Sequence, residues 1–153
     1  MKFVIVGFLG AILGSFVGAQ VWRLRARQLT EDKKAGEKVD QKELKKLSPL
    51  MKKVSKDRSR CLSCGHELSF CDIIPVFSWV IRLGKCRYCK NFIGWTEILL
   101  EVVMAGLFVL SVVFWPGSLM DFWQVLLLTL WLIGLVLLAI LFVYDLKWLL
   151  LPD

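Results

Sequence analysis

Charge is missing from two long stretches of this 153-residue chain, 3–22 and 122–144, and Glu101 is the one ionisable residue in a third, 98–115. A chain that is 57% hydrophobic and 22% charged, and keeps the two so far apart, is not an ordinary soluble domain. Each apolar run holds roughly 18 to 23 residues, and about 20 helical residues at 1.5 Å rise cross a bilayer core. Three transmembrane helices are predicted. Histidine is nearly absent too, so a metal site cannot be built from imidazoles; His66 could at most stand in for one ligand. No repeat of solenoid length occurs, and no glycine-rich nucleotide loop follows a strand.

What charge there is lies mostly between the first two apolar runs. Of the 20 Lys and Arg, 18 fall within 23–90, beginning with Arg23, Arg25 and Arg27 directly behind the first run. The net charge of +7 therefore reads as membrane topology rather than as a nucleic-acid footprint, and no nucleic-acid partner is expected. The positive-inside rule makes that segment cytoplasmic and the N-terminus external, in a multi-pass protein of the plasma (inner) membrane. The 116–121 connection has no Lys or Arg and suits an external loop, while Lys147 suits a return to the cytoplasm. Arginines behind the first run also oppose a cleaved signal peptide ending at Val17-Gly18-Ala19.

Small residues Gly7, Gly10, Gly14, Ser15 and Gly18 recur along the first run at near-helical spacing, which permits close helix approach in a membrane. Residues 28–57 hold scattered apolar side chains among many charges and read as a solvated linker, partly helical near 42–47, that buries no core by itself. Attraction to anionic lipid headgroups is a secondary role for it.

Cys61-Leu-Ser-Cys64 and Cys86-Arg-Tyr-Cys89 are two Cys-x-x-Cys pairs separated by 21 residues. In a reducing compartment such pairs read as metal ligation rather than disulfides. Two-residue gaps let both thiolates of a pair converge on one tetrahedral ion, and four thiolates close the shell, which makes a zinc ion there structural rather than catalytic. Gly65 after the first pair and Gly84 before the second supply permissive backbone for the turns. His66 is read as an exposed knuckle residue and Cys71 as a small buried apolar side chain.

In order and spacing these residues resemble the prepilin leader peptidases. Gly14-Ser15-Phe16 and Trp22-Arg23-Leu24 are similar to the end of that family's first helix. Arg58-Ser59-Arg60-Cys61, Cys64-Gly65-His66, Asp72, Ile74-Pro75-Val76, Ser78-Trp79 and Gly84-Lys85-Cys86-Arg87-Tyr88-Cys89 are similar to its cytoplasmic module. Glu101 fits an acid at the start of the next membrane helix, and the segment from Asp145 to Asp153 resembles the first catalytic aspartate segment. Gly18, Arg25, Cys71 and Ile73 depart from the pattern, but none is a metal ligand or Asp145.

The resemblance implies a membrane aspartic endopeptidase that cuts the basic leader from type IV pilin-like precursors, with S-adenosylmethionine-dependent methylation of the new N-terminus as a second activity. It also implies a second aspartate in a Gly-x-Gly-Asp motif, and no such motif occurs in these 153 residues. Asp145 is thus expected to be half of a dyad and the chain to be an incomplete enzyme, inactive unless a further chain or a missing C-terminal half supplies the second acid. Glu101 is the candidate supporting acid, with Glu97 beside it on the same helix face. The competing reading is a non-enzymatic, membrane-anchored zinc-ribbon protein acting in pilus or secretion-system assembly. The expected architecture is mainly α: a first transmembrane helix (1–22), a charged cytoplasmic linker (23–57), a four-cysteine zinc-ribbon module (58–97), and two further transmembrane helices carrying the aspartate segment (98–153).

Overall fold

A computed structural model describes residues 1–47, 60–61, 63–69 and 76–149. Cys71, Asp72, Ile73, Ile74-Pro75, Arg58-Ser59 and the 150–153 end of the aspartate segment, all singled out above, lie outside the described residues. Five helices are described: α1 (Lys2–Lys34), α2 (Gln41–Leu47), α3 (Phe77–Ile81), α4 (Trp95–Val113) and α5 (Phe122–Trp148). The architecture is mainly helical, and α1, α4 and α5 are the three helices long and apolar enough to cross a membrane.

The first helix does not stop where its apolar run does. At 33 residues α1 exceeds the roughly 20 needed for a bilayer core, so its charged end projects about 20 Å beyond it. Nothing between Trp22 and Lys34 breaks a helix: there is no Pro or Gly, and Arg, Ala, Leu, Gln, Glu and Lys are good helix formers. The chain then turns at Gly36, where φ is +84°, and α2 folds back. Leu47 is wholly buried against Ala26 and Leu29, flanked by Trp22, Val39 and Leu44. Glu43 of α2 pairs with Arg25 at 3.1 Å and accepts the Trp148 indole N–H at 3.3 Å. The stretch read as a solvated linker that buries no core by itself contributes a small apolar cluster once α1 supplies the other surface.

In the span region the main packing partner of α1 is α4. Added Cβ atoms at Gly10 and Gly14 would lie 2.7 Å from the backbone carbonyls of Met104 and Leu100, so only glycine fits where the two backbones cross. This is the small-xxx-small contact of membrane helices, in which close approach rather than water expulsion supplies the attraction. A second contact layer joins α5 to α1 through Val17, Val21, Val143 and Tyr144, and the Tyr144 hydroxyl donates to the Gln28 side chain. The other lateral surface of α5 is exposed, as befits a helix hydrophobic all round.

Candidate functional site

Each cysteine pair sits in a knuckle built from the same backbone hydrogen bonds. In the first, Gly65 N–H donates to the Cys61 carbonyl (2.8 Å), Cys61 N–H donates to the His66 carbonyl (3.0 Å), and Arg60 bridges Glu67. In the second, Lys90 N–H donates to the Cys86 carbonyl (3.1 Å), Cys86 N–H donates to the Asn91 carbonyl (2.9 Å), and Lys85 bridges Phe92. The left-handed residue after each pair is Gly65 (φ +70°) or Lys90 (φ +60°). Gly84 therefore is not the knuckle counterpart of Gly65. It ends the turn after α3 at φ +69°, where a Cβ would strike Trp79 and Phe92 at 2.9 Å.

The knuckles bring all four Sγ atoms within 4.8 Å of one another, with Cys61 and Cys89 at 3.9 Å. A tetrahedral ion with metal–sulfur bonds of about 2.3 Å requires sulfurs about 3.8 Å apart, so the donor set fits such an ion. Cys86 is buried, Cys61 and Cys89 are partly buried and Cys64 is exposed. Burial opposes ionisation of Cys86, but the backbone N–H groups of Cys89 and Tyr88 and the neighbouring thiols outweigh it and draw the thiol down to about 7. Cys89 is pushed up to about 11: the Asn91 backbone N–H favours its thiolate, but desolvation and the other three thiols prevail. Four sulfurs this close cannot all ionise without a cation among them. His66 lies outside the cluster and stacks on Tyr88 at 3.6 Å, and its carbonyl rather than its ring serves the knuckle.

The two candidate acids have opposite surroundings. Glu101 is buried at the α1–α4 crossing, accepts the Val76 backbone N–H at 2.7 Å, and is hydrogen-bonded by Ser15. Val76 has φ +60° and opens α3, so one carboxylate fastens the module to the pair of membrane helices. Sequence reasoning placed Glu101 on the right helix, but the Val76 contact spans 25 residues and left no local signal. Asp145 is exposed in the last turn of α5, and its side chain makes no hydrogen bond or ion pair with the described residues. Among the described residues the hydrogen bonds of Glu101 go to Val76 and Ser15 and not to Asp145. Glu97 accepts the Thr96 hydroxyl (2.7 Å) and faces the Trp22 indole N–H (3.5 Å). Below the module, a cleft of about 360 Å³ opens between Trp22, Glu97, Asn91 and Arg60.

Residues 8–115 match the bacterial peptidase A24 N-terminal domain. The chain is 32% identical over 155 residues to a prepilin leader peptidase/N-methyltransferase of Pectobacterium carotovorum, covering 97% of this chain and 50% of that protein. It is 30% identical to a protein of the same name from Dichelobacter nodosus, covering 69% and 38% respectively. It is also 30% identical to a type 4 prepilin-like proteins leader peptide-processing enzyme of Escherichia coli O78:H11, covering 71% and 38%. The chain thus spans between about a third and half the length of these relatives. No solved structure matches it.

Proposed function

The chain belongs to the bacterial peptidase A24 N-terminal domain family, whose relatives here are named prepilin leader peptidases, and on that premise we propose that it forms the N-terminal part of an enzyme cleaving pilin-like precursors at the cytoplasmic membrane face. The observation that carries the reading is the similarity to a leader peptidase across 97% of this chain, Asp145 included. That extent disfavours a free-standing zinc ribbon, which needs neither α5 nor the aspartate at its end.

We assign the catalytic carboxylate to Asp145. Peptide hydrolysis by acids needs one carboxylate to take a proton from water and a second, protonated, to hydrogen-bond the scissile carbonyl. Two acids placed together divide these roles because both cannot ionise cheaply. Exposure of Asp145 on a face of α5 that no described residue covers leaves room for the partner acid to approach. We propose that this acid comes from outside the 153 residues rather than from Glu101, whose oxygens hold Val76 and Ser15. The bound metal is proposed to be zinc in a purely structural role, since four thiolates leave no open coordination position for substrate. Methylation of the new N-terminus is proposed as the second activity, supported by the relatives' names, with S-adenosylmethionine as donor. The cleft beside Trp22 and Glu97 is within the roughly 300–1,000 Å³ range of small-molecule sites and is where such a donor should be sought.

Membranes containing the chain alone, and membranes containing it joined to the remaining part of a relative, should be incubated with a pilin-like precursor. Shortened product is expected only from the second preparation, and Asp145→Asn should abolish it while metal content stays unchanged. Cleavage by the short chain that is lost on Asp145→Asn would overturn the assignment of the second acid.

A further inference from the structure

We propose that the four-cysteine module rests on the bilayer, with α3 and the turn after it seated among the lipid headgroups and upper acyl chains, rather than standing clear of the membrane. The membrane level on the module side is marked by aromatic side chains. Trp22 of α1 packs edge-on to Trp148 of α5 at 5.5 Å, its indole N–H points at Glu97 in the first turn of α4, and Trp95 begins α4. Trp115 and Trp123 mark the opposite ends of α4 and α5. Tryptophan prefers these boundary levels because its ring is apolar and its N–H is not.

Trp95 does not stand alone at that level. Trp79 of α3 stacks on it at 4.7 Å and Phe92 of the second knuckle at 5.9 Å, so the module's aromatic face lies at the height where the span begins. Beside Trp79 in sequence, Val80, Ile81 and Leu83 are 55%, 77% and 76% exposed. Trp95 and Leu99, on the wall of α4 that faces lipid, are exposed as well. Exposed apolar side chains therefore continue from the start of the span onto the module.

Its charge names the occupant. Residues 76–93 carry Arg82, Lys85, Arg87 and Lys90 and no acid, the pattern that draws a surface towards anionic headgroups. Apolar side chains flanked by cations and continuous with a membrane span fit a lipid interface.

The full chain, reconstituted in nanodiscs of phosphatidylcholine and phosphatidylglycerol, tests this directly. A fluorescent amino acid would be placed at Val80, Ile81 or Leu83, with Val103 on α4 and Glu67 on the first knuckle as references, and unchanged metal content would certify folding. Emission at the three module sites should fall with lipids brominated near the headgroup, as at Val103, and should resist aqueous iodide. Iodide quenching like that at Glu67 would show a module free in solution. Resistance to both quenchers would show a protein covering the patch, and either of these results would overturn the proposal.

Discussion

At the scale of single residues, the knuckles separate what a cysteine does from what the residue after the pair does. Cys61 and Cys86 open the two pairs and each sulfur receives backbone N–H groups of its own knuckle, so replacing both removes one sulfur from each half of the cluster. Metal analysis of the detergent-purified chain should find one zinc per molecule, and Cys61→Ser together with Cys86→Ser should lose it. The left-handed position tells a subtler story. A non-glycine residue there costs roughly 1–2 kcal/mol, and Lys90 bears that cost where Gly65 does not. Lys90→Gly should keep the metal and raise the thermal midpoint of the module, whereas Gly65→Val should lower it by a similar increment; calorimetry of the metal-loaded variants reads both. Gly84 supplies the permissive backbone before the second pair, at φ +69° in the turn that ends α3, where Trp79 and Phe92 leave no room for a side chain.

Between elements, stability in the membrane depends on how near two backbones can come. Gly10 and Gly14 leave no room for a side chain against Met104, Ala105, Leu100 and Glu101, so each glycine is fixed by the partner helix rather than by α1 itself. Gly14→Leu should force α1 and α4 apart, at a cost of at least the roughly 1–3 kcal/mol of an overpacked core. The same shift would pull Ser15 and Val76 off the Glu101 carboxylate. A lowered melting temperature in detergent should therefore accompany faster hydrogen exchange at the Val76 N–H. Gly18 makes a useful control, because an added Cβ there meets only the Leu100 side chain at an ordinary 3.7 Å. Spacing alone could not distinguish Gly18 from Gly14, since both fall on the same helical face. The α2 helix illustrates the reverse case: seven residues are too few to hold a helix in water, and its existence depends on Leu47 and Glu43 finding α1 and Trp148.

For the whole molecule, the expected orientation is an external N-terminus with the module in the cytoplasm, since the cations Arg23, Arg25 and Arg27 follow the first span at once. A cysteine introduced at Lys45 should stay unlabelled by an impermeant reagent in intact cells and react after permeabilisation. Labelling before permeabilisation would reverse the assignment and with it the side on which Asp145 meets a leader sequence. Odd span number matters here, because three crossings return the end of α5 to the side occupied by the module.

Much of this could be read from residue order. Hydrophobic run length gave the three helices long and apolar enough to span, to within a few residues at the start of α4 and the end of α5, and the paired cysteines marked the four sulfurs that the fold gathers within reach of one ion, because both are local signals with a fixed period. Tertiary structure alone decided the rest. It extended α1 through charged residues by giving them α2 to pack on, selected Gly10 and Gly14 as the contact glycines, and set the Glu101 carboxylate on the Val76 N–H, joining the module to the helix pair. It also left Asp145 exposed. The physical reason is range: backbone propensity and burial periodicity act over a few residues, whereas a close helix crossing or a carboxylate held by a distant N–H exists only once separate elements have met.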